Sequence, residues 1–187
     1  STAGIGFAIA EALAAEGARV IINGRTTAAV EAAITELTPR VSGELLGFAG
    51  DLTSAAAIEQ LAEQFPQVDI LVNSLGIFEP AEFADITDAD WFRFYEVNVM
   101  SGVRLSRLYL PGMKQQDWGR IVFISSESAL QIPAEMIHYG MTKTAQLAVS
   151  RGLAESLAGT GITVNSVLPG PTRSRGVVDF VNELAKN

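Results

Sequence analysis

The sequence predicts an α/β fold, a doubly wound parallel sheet in a three-layer αβα sandwich, and three observations predict it. Short apolar runs alternate with longer stretches of helical periodicity along the whole 187 residues. The runs are β-branched and apolar on both faces, as strands covered by helices on each side read. No internal repeat, low-complexity segment or linker interrupts the alternation, so a single domain over residues 1–187 is expected.

The elements follow in order. Residues 19–23 (RVIIN) read as a buried strand, and residues 28–37 as a helix closed off by Pro39. Residues 44–49 form a second strand. Ser54 is placed to cap a helix that runs to about residue 65. Residues 69–73 (DILVN) are a third strand. Thr87 and Asp88 open a long helical pattern towards Leu110, with Pro111 as its stop signal. Residues 120–125 (RIVFIS) are a strand, residues 134–158 a helix stopped by Gly159 and Gly161, and residues 161–167 (GITVNSV) the last clear strand.

Composition removes several classes of function. Apolar residues make up 48% and charged residues 18%, which excludes a disordered tail. No apolar run reaches the roughly 20 residues that a membrane helix needs. There is no cysteine, so disulfides, thiolate metal sites and cysteine nucleophiles are excluded together, and a reducing cytoplasm is the expected location. The single histidine, His138, excludes a multi-histidine metal site. A net charge of -8 disfavours nucleic acid, and Arg173 with Arg175 is too small a basic cluster to reverse that.

The chain opens with Ser1-Thr2-Ala3-Gly4-Ile5-Gly6 and enters a helical pattern at once. Gly4 and Gly6 at the mouth of a helix read as the tail of a glycine-rich phosphate loop. Glycine lets the backbone approach a pyrophosphate, and the helix N-terminus supplies unpaired N–H groups and partial positive charge. The alternative is a glycine pair that only opens a helix. Such a loop follows a central strand, so the expectation is that this strand is missing here. The strands at 19–23 and 69–73 would then lack a shared neighbour.

Tyr139 and Lys143 are four residues apart on a helical pattern and so share a face. An ammonium beside a phenol favours the phenolate, and a phenol so tuned exchanges a proton with a carbonyl or alcohol. Ser126 ends the strand at 120–125, thirteen residues before Tyr139, where ligands bind in open α/β sheets. Its hydroxyl can polarise a substrate oxygen. An ordinary exposed Tyr–Lys helix pair is the alternative.

With these motifs in order, the chain resembles the short-chain dehydrogenases/reductases along nearly its full length. STAGIG is similar to the family's glycine loop, TGxxxGxG, without its first two residues. Asp51-Leu52 matches the acidic position that contacts adenine. Asn73-Ser74-Leu75-Gly76 resembles the NNAG motif, with Leu75 bulkier than the usual alanine. Asn98, Ser126, Tyr139 and Lys143 match the active-site positions, and Pro169-Gly170 matches the segment that lines the nicotinamide pocket.

The resemblance implies a Rossmann-type oxidoreductase that interconverts a carbonyl and an alcohol by hydride transfer. In it Tyr139 is the acid/base, and Lys143 tunes Tyr139 and binds the nicotinamide ribose. Ser126 orients the substrate oxygen, and Asn98 completes the proton relay. The implied cofactor contacts are Ser1, Thr2, Gly4, Ile5, Gly6, Arg25, Asp51, Leu52, Asn73, Gly76, Tyr139, Lys143, Pro169 and Gly170. The family also implies a dimer or tetramer, and a substrate loop of which residues 172–187 hold only the start.

Asn23-Gly24-Arg25 stands where a carboxylate would select NAD. Arg25 can pair with a 2′-phosphate instead, so NADP is expected over NAD, with a solvent-facing Arg25 as the alternative. His138 is expected at a helix surface or pocket wall, Glu127 in solvent, and Trp91, Phe92, Phe94 and Tyr95 in a core or a subunit contact. The competing function is a non-catalytic dinucleotide-binding or regulatory protein on the same fold.

Overall fold

The structure, a computed structural model, describes residues 1–172. Arg173, Arg175 and the rest of the expected substrate loop lie outside the described residues. The described residues divide into two compact units, residues 1–51 with Pro171 and Thr172, and residues 52–170.

In the first unit, helix α1 (Gly4–Ala15) precedes strand β1 (Val20–Gly24), helix α2 (Thr27–Leu37) and strand β2 (Leu45–Ala49). The strands are parallel, with Val20 opposite Leu45 and Gly24 opposite Ala49. Parallel neighbours need a crossover, and α2 supplies it. Thr26 caps α2, its Oγ1 accepting from the Ala29 amide at 3.3 Å. Ala10, Ile22, Val30, Ala33 and Leu37 are buried together, with Phe7, Val20, Ile34 and Leu45 packed around them. This apolar burial is what orders the unit.

In the second unit, helix α3 (Ala55–Gln64) precedes strand β3 (Ile70–Asn73). Helix α4 (Asp88–Tyr95), a π-helical turn (Glu96–Met100) and helix α5 (Ser101–Gln116) follow. Strand β4 (Gly119–Ile124), helix α6 (Ile137–Ser156) and strand β5 (Ile162–Val167) complete the unit. The sheet order is β3-β4-β5, all parallel, with Asn73 opposite Phe123 and Phe123 opposite Ser166. Helix α5 packs on β3 and β4, and α6 on β4 and β5.

The strands fall within a residue or so of where the apolar runs put them. The helices differ in three ways. Ser54 occupies the N-cap of α3, but its side chain makes no capping bond. The helix expected from residue 88 to 110 is interrupted by the π turn, because one extra residue is accommodated beside Asn98 and Val99, both buried. Pro111 does not stop α5, which runs on to Gln116. A proline inside a helix costs about 3 kcal/mol. The buried stripe Leu105, Tyr109 and Met113 passes straight through it. Burying each such side chain is worth about 1.5–3 kcal/mol, so packing outweighs the break. The stop comes at Asp117, in the left-handed region at φ 48°. Its carboxylate accepts from the Gly161 amide at 2.9 Å, tying the end of α5 to the start of β5.

Candidate active site

The site is assembled in the second unit, at the carboxyl ends of its strands. Strand β4 ends at Ile124 and delivers two serines with different duties. Ser125 is buried, and its Oγ donates to the Lys143 carbonyl at 2.9 Å, fastening β4 to α6. Ser126 Oγ accepts from the Ser128 amide at 3.1 Å, which opens a short 3₁₀ turn. The Ser126 hydroxyl also acts on the Tyr139 phenol, favouring its ionised form.

Helix α6 places Tyr139 and Lys143 one turn apart on a common face. Lys143 Nζ lies 5.5 Å from the Tyr139 ring centroid. It donates to the Ile124 carbonyl at 3.0 Å and to Gln146 Oε1 at 3.3 Å. Burial holds the Lys143 ammonium down to about 8 from its ordinary 10.5. Burial pushes the Tyr139 phenol above the ordinary 10, and the nearby Ser126 hydroxyl opposes that.

Asn98 sits on the π turn and is buried. Its Nδ2 donates to the Ile77 carbonyl at 3.0 Å and to Thr142 Oγ1 at 2.9 Å, and its Oδ1 accepts from the Ile77 amide at 2.8 Å. The loop after β3 is thereby clamped to α6. Gly76 lies on that loop, where an added Cβ would stand 3.4 Å from Asn98 Oδ1 and 3.5 Å from Lys143 Nζ. Asn73, at the end of β3, is buried and donates to Ser106 Oγ at 3.4 Å, and its Oδ1 has no partner among the described residues. Pro169 follows β5, and its carbonyl accepts from the Glu127 amide at 3.1 Å. Glu127 itself is exposed, and its carboxylate lies near Gly170.

The remaining expected contacts belong to the first unit, apart from Leu52, which is buried at the start of the second. The Ser1 ammonium donates to the Asn23 carbonyl at 2.7 Å, and the Asn23 amide donates to Ser1 Oγ at 3.2 Å, so the opening loop lies along β1. Thr2 packs against Gly24, where an added Cβ would come within 2.6 Å of it. Gly4, Ile5 and Gly6 form the first turn of α1, which has no side-chain cap and no acidic residue. Arg25 and Asp51 are exposed.

Of the two places expected for His138 the structure gives the pocket wall: it is buried beside Glu79, Asp90 and Arg93, its ring 4.0 Å from the Phe94 ring and 6.0 Å from that of Trp91. Burial lowers its pKa. Of the aromatic group, Phe94 is fully buried while Phe92 is 74% exposed. Gln146 and Thr142, both buried, escape the sequence reading altogether. Their spacing from Tyr139 and Lys143, three residues in each case, was the available signal. Among the described residues no helix is long and apolar enough to cross a membrane, and no cluster of three or more metal-ligating side chains occurs.

Residues 1–184 match the family described as short chain dehydrogenase. An uncharacterized oxidoreductase of Bacillus subtilis is 53% identical over 185 residues, which are 98% of this chain and 70% of that protein. The L-sorbose reductase of Gluconobacter frateurii, solved with NADPH and L-sorbose, superposes with a TM-score of 0.91 at 31% identity. That match covers 100% of this chain and 73% of the reductase. A 3-oxoacyl-[acyl-carrier protein] reductase from Brucella melitensis with bound NAD gives a TM-score of 0.88 at 28% identity, over 95% of this chain and 71% of that one. With its parallel strands, helical crossovers and Rossmann-like α/β fold, the chain belongs to the short-chain dehydrogenase/reductase family of oxidoreductases.

Proposed function

We propose that the chain interconverts a carbonyl and an alcohol with a nicotinamide cofactor, using Tyr139 as the acid/base, and that it prefers NADP. The observation that carries the reading is Lys143, buried one turn beyond Tyr139 on α6 with its Nζ 5.5 Å from the Tyr139 ring, beside Ser126 at the end of β4. A substrate oxygen held by Ser126 and Tyr139 would receive its proton from the Tyr139 hydroxyl on reduction and return it on oxidation. An ammonium has three donors, and two of those on Lys143 are committed to Ile124 and Gln146. The third suits a ribose hydroxyl. A charged Lys143 brought closer to Tyr139 by such a contact would favour the phenolate that burial now disfavours.

The residues present fit a dinucleotide. The first turn of α1 offers amides with no competing carboxylate or side-chain cap, which suits a pyrophosphate. Arg25, exposed after β1 with no neighbouring carboxylate in Asn23-Gly24-Arg25, suits a 2′-phosphate. Asp51 and Leu52 would meet adenine. Asn73, Gly76, Pro169 and Gly170 would line the nicotinamide end. When bound, the cofactor supplies the hydride. A relative solved with L-sorbose and one named 3-oxoacyl-[acyl-carrier protein] reductase support a carbonyl substrate. A homo-oligomer and a cytoplasmic location complete the reading.

The test is Tyr139→Phe, assayed by NADPH oxidation against carbonyl compounds that include L-sorbose and a 3-oxoacyl thioester. Turnover is expected to fall by about 10²–10⁴-fold, the usual contribution of a positioned acid, with NADPH binding retained. Unchanged turnover would overturn the assignment.

A further inference from the structure

Gln146 is a buried polar side chain of α6 that the sequence pattern does not account for. It is 2% exposed. A buried amide costs free energy unless its donor and acceptor are both matched, so its partners decide why it is tolerated. Both are specific. Nε2 donates to the main-chain carbonyl of Asn98 at 2.5 Å, and Oε1 accepts from Lys143 Nζ at 3.3 Å. The carbonyl lies on the π turn, where the regular ladder of helical bonds is rearranged. Lys143 lies three residues earlier on the same helix face.

We propose that Gln146 is a positioning residue whose side-chain amide bridges the Asn98 carbonyl and the Lys143 ammonium, holding Lys143 in register with Tyr139. The catalytic consequence rests on the active-site reading above, but the bridge does not.

The amide suits the task better than its nearest substitutes. A leucine would leave Nζ with the Ile124 carbonyl alone and the Asn98 carbonyl without its donor. A carboxylate would form an ion pair with Lys143 and set an oxygen against the Asn98 carbonyl. The groups around Nζ are Tyr139 and Gln146 on its own helix, the Ile124 carbonyl at the end of β4, and Asn98 and Gly76 from the π turn and the β3 loop. None of these carries a negative charge at neutral pH, and burial is the cause of the lowered lysine pKa. A neutral acceptor therefore retains the ammonium without fixing its charge.

The experiment follows Lys143 by NMR of the chain labelled with [¹³Cε]lysine. There are three lysines, Lys114, Lys143 and Lys186, so Lys143→Met identifies the resonance. Gln146→Leu removes an acceptor from the ammonium and is expected to lower the Lys143 titration by about one pH unit. Gln146→Glu is expected to raise it by at least as much. A Lys143 resonance that titrates at the wild-type pH in both variants would overturn the bridge, and a folded Gln146→Glu protein suffices should Gln146→Leu not fold. Turnover is read alongside, with kcat of Gln146→Leu about tenfold lower and cofactor KM changed less than about twofold. Opposite shifts of the lysine titration in a protein whose wild type turns over no carbonyl compound would leave the bridge standing and count against the active-site reading.

Discussion

Lys143 is 5% exposed, and burial holds its ammonium down to about 8, against an ordinary 10.5 in an unfolded chain. The sign of its effect on stability follows. Below about pH 8 both states carry the proton, and the cost of burying the ammonium is felt in full. Between 8 and 10.5 the unfolded chain binds a proton that the folded one has released, so stability rises with pH. Tyr109, pushed up to about 12, and Tyr139, also raised, act in the other direction above pH 10, where unfolded phenols ionise first. The usable window is therefore pH 8 to 10. Urea unfolding across it is expected to show the wild type gaining about 2 kcal/mol relative to Lys143→Met. Parallel profiles for the two proteins would show that Lys143 is not titrating there. A second residue-scale expectation concerns Arg25. Arg25→Glu should lower kcat/KM with NADPH by at least about tenfold, the worth of one charge-assisted contact, and leave NADH nearly unchanged. Equal losses with both cofactors would remove Arg25 from the selection. At this scale the placement of Tyr139 and Lys143 on one face of α6 and of Ser126 at the end of β4 was legible, because helical spacing and a strand end are local features. Gln146 was not, since a glutamine reads as surface until the Asn98 carbonyl that buries it is in view.

Elements were legible where burial alone defines them and illegible where packing overrides a local signal. The strands β1 to β5 announce themselves as apolar runs that need no knowledge of their neighbours. The π turn leaves no mark on composition, since it is one residue of extra length that brings Asn98 and Val99 inward together. Pro111 gave a misleading stop, because the stripe of Leu105, Tyr109 and Met113 is long-range information. The same packing makes a prediction for α5. At Gly102 an added Cβ would stand 2.8 Å from Phe123 Cε1 and 3.3 Å from Asn73 Cγ, both on buried side chains of the sheet. Gly102→Ala is expected to destabilise the protein by about 1–3 kcal/mol, the usual cost of overpacking. Gly112→Ala, in the same helix with its nearest such atom Gln67 Cγ at 3.9 Å, should instead be neutral or stabilising by up to about 1 kcal/mol. Thermal melts of the two variants that move together would show that α5 does not rest on β3 and β4 through Gly102.

At the scale of the whole molecule, the question is what covers the outer side of α5 and α6. Between them lies a cavity of about 680 Å³, lined by Val103, Leu110, Pro111, Val149 and Leu153 among others. An apolar groove of this kind suits a contact site, and a second copy of the chain is the occupant expected from the family resemblance. Charge bears on the same point. With a net charge of -8, two copies repel at long range, so assembly through an apolar face should strengthen as salt screens that repulsion. Light scattering after size exclusion is expected to give a dimer or tetramer whose share grows between 20 and 200 mM salt, concentrations of roughly threefold different screening length. Leu153→Arg would bury a charge in the contact and should shift the population to the monomer, with the far-UV spectrum unchanged. A wild-type monomer at both salt concentrations, or a Leu153→Arg oligomer as stable as the wild type, would show that this face meets solvent and that the helices α5 and α6 are not the seam.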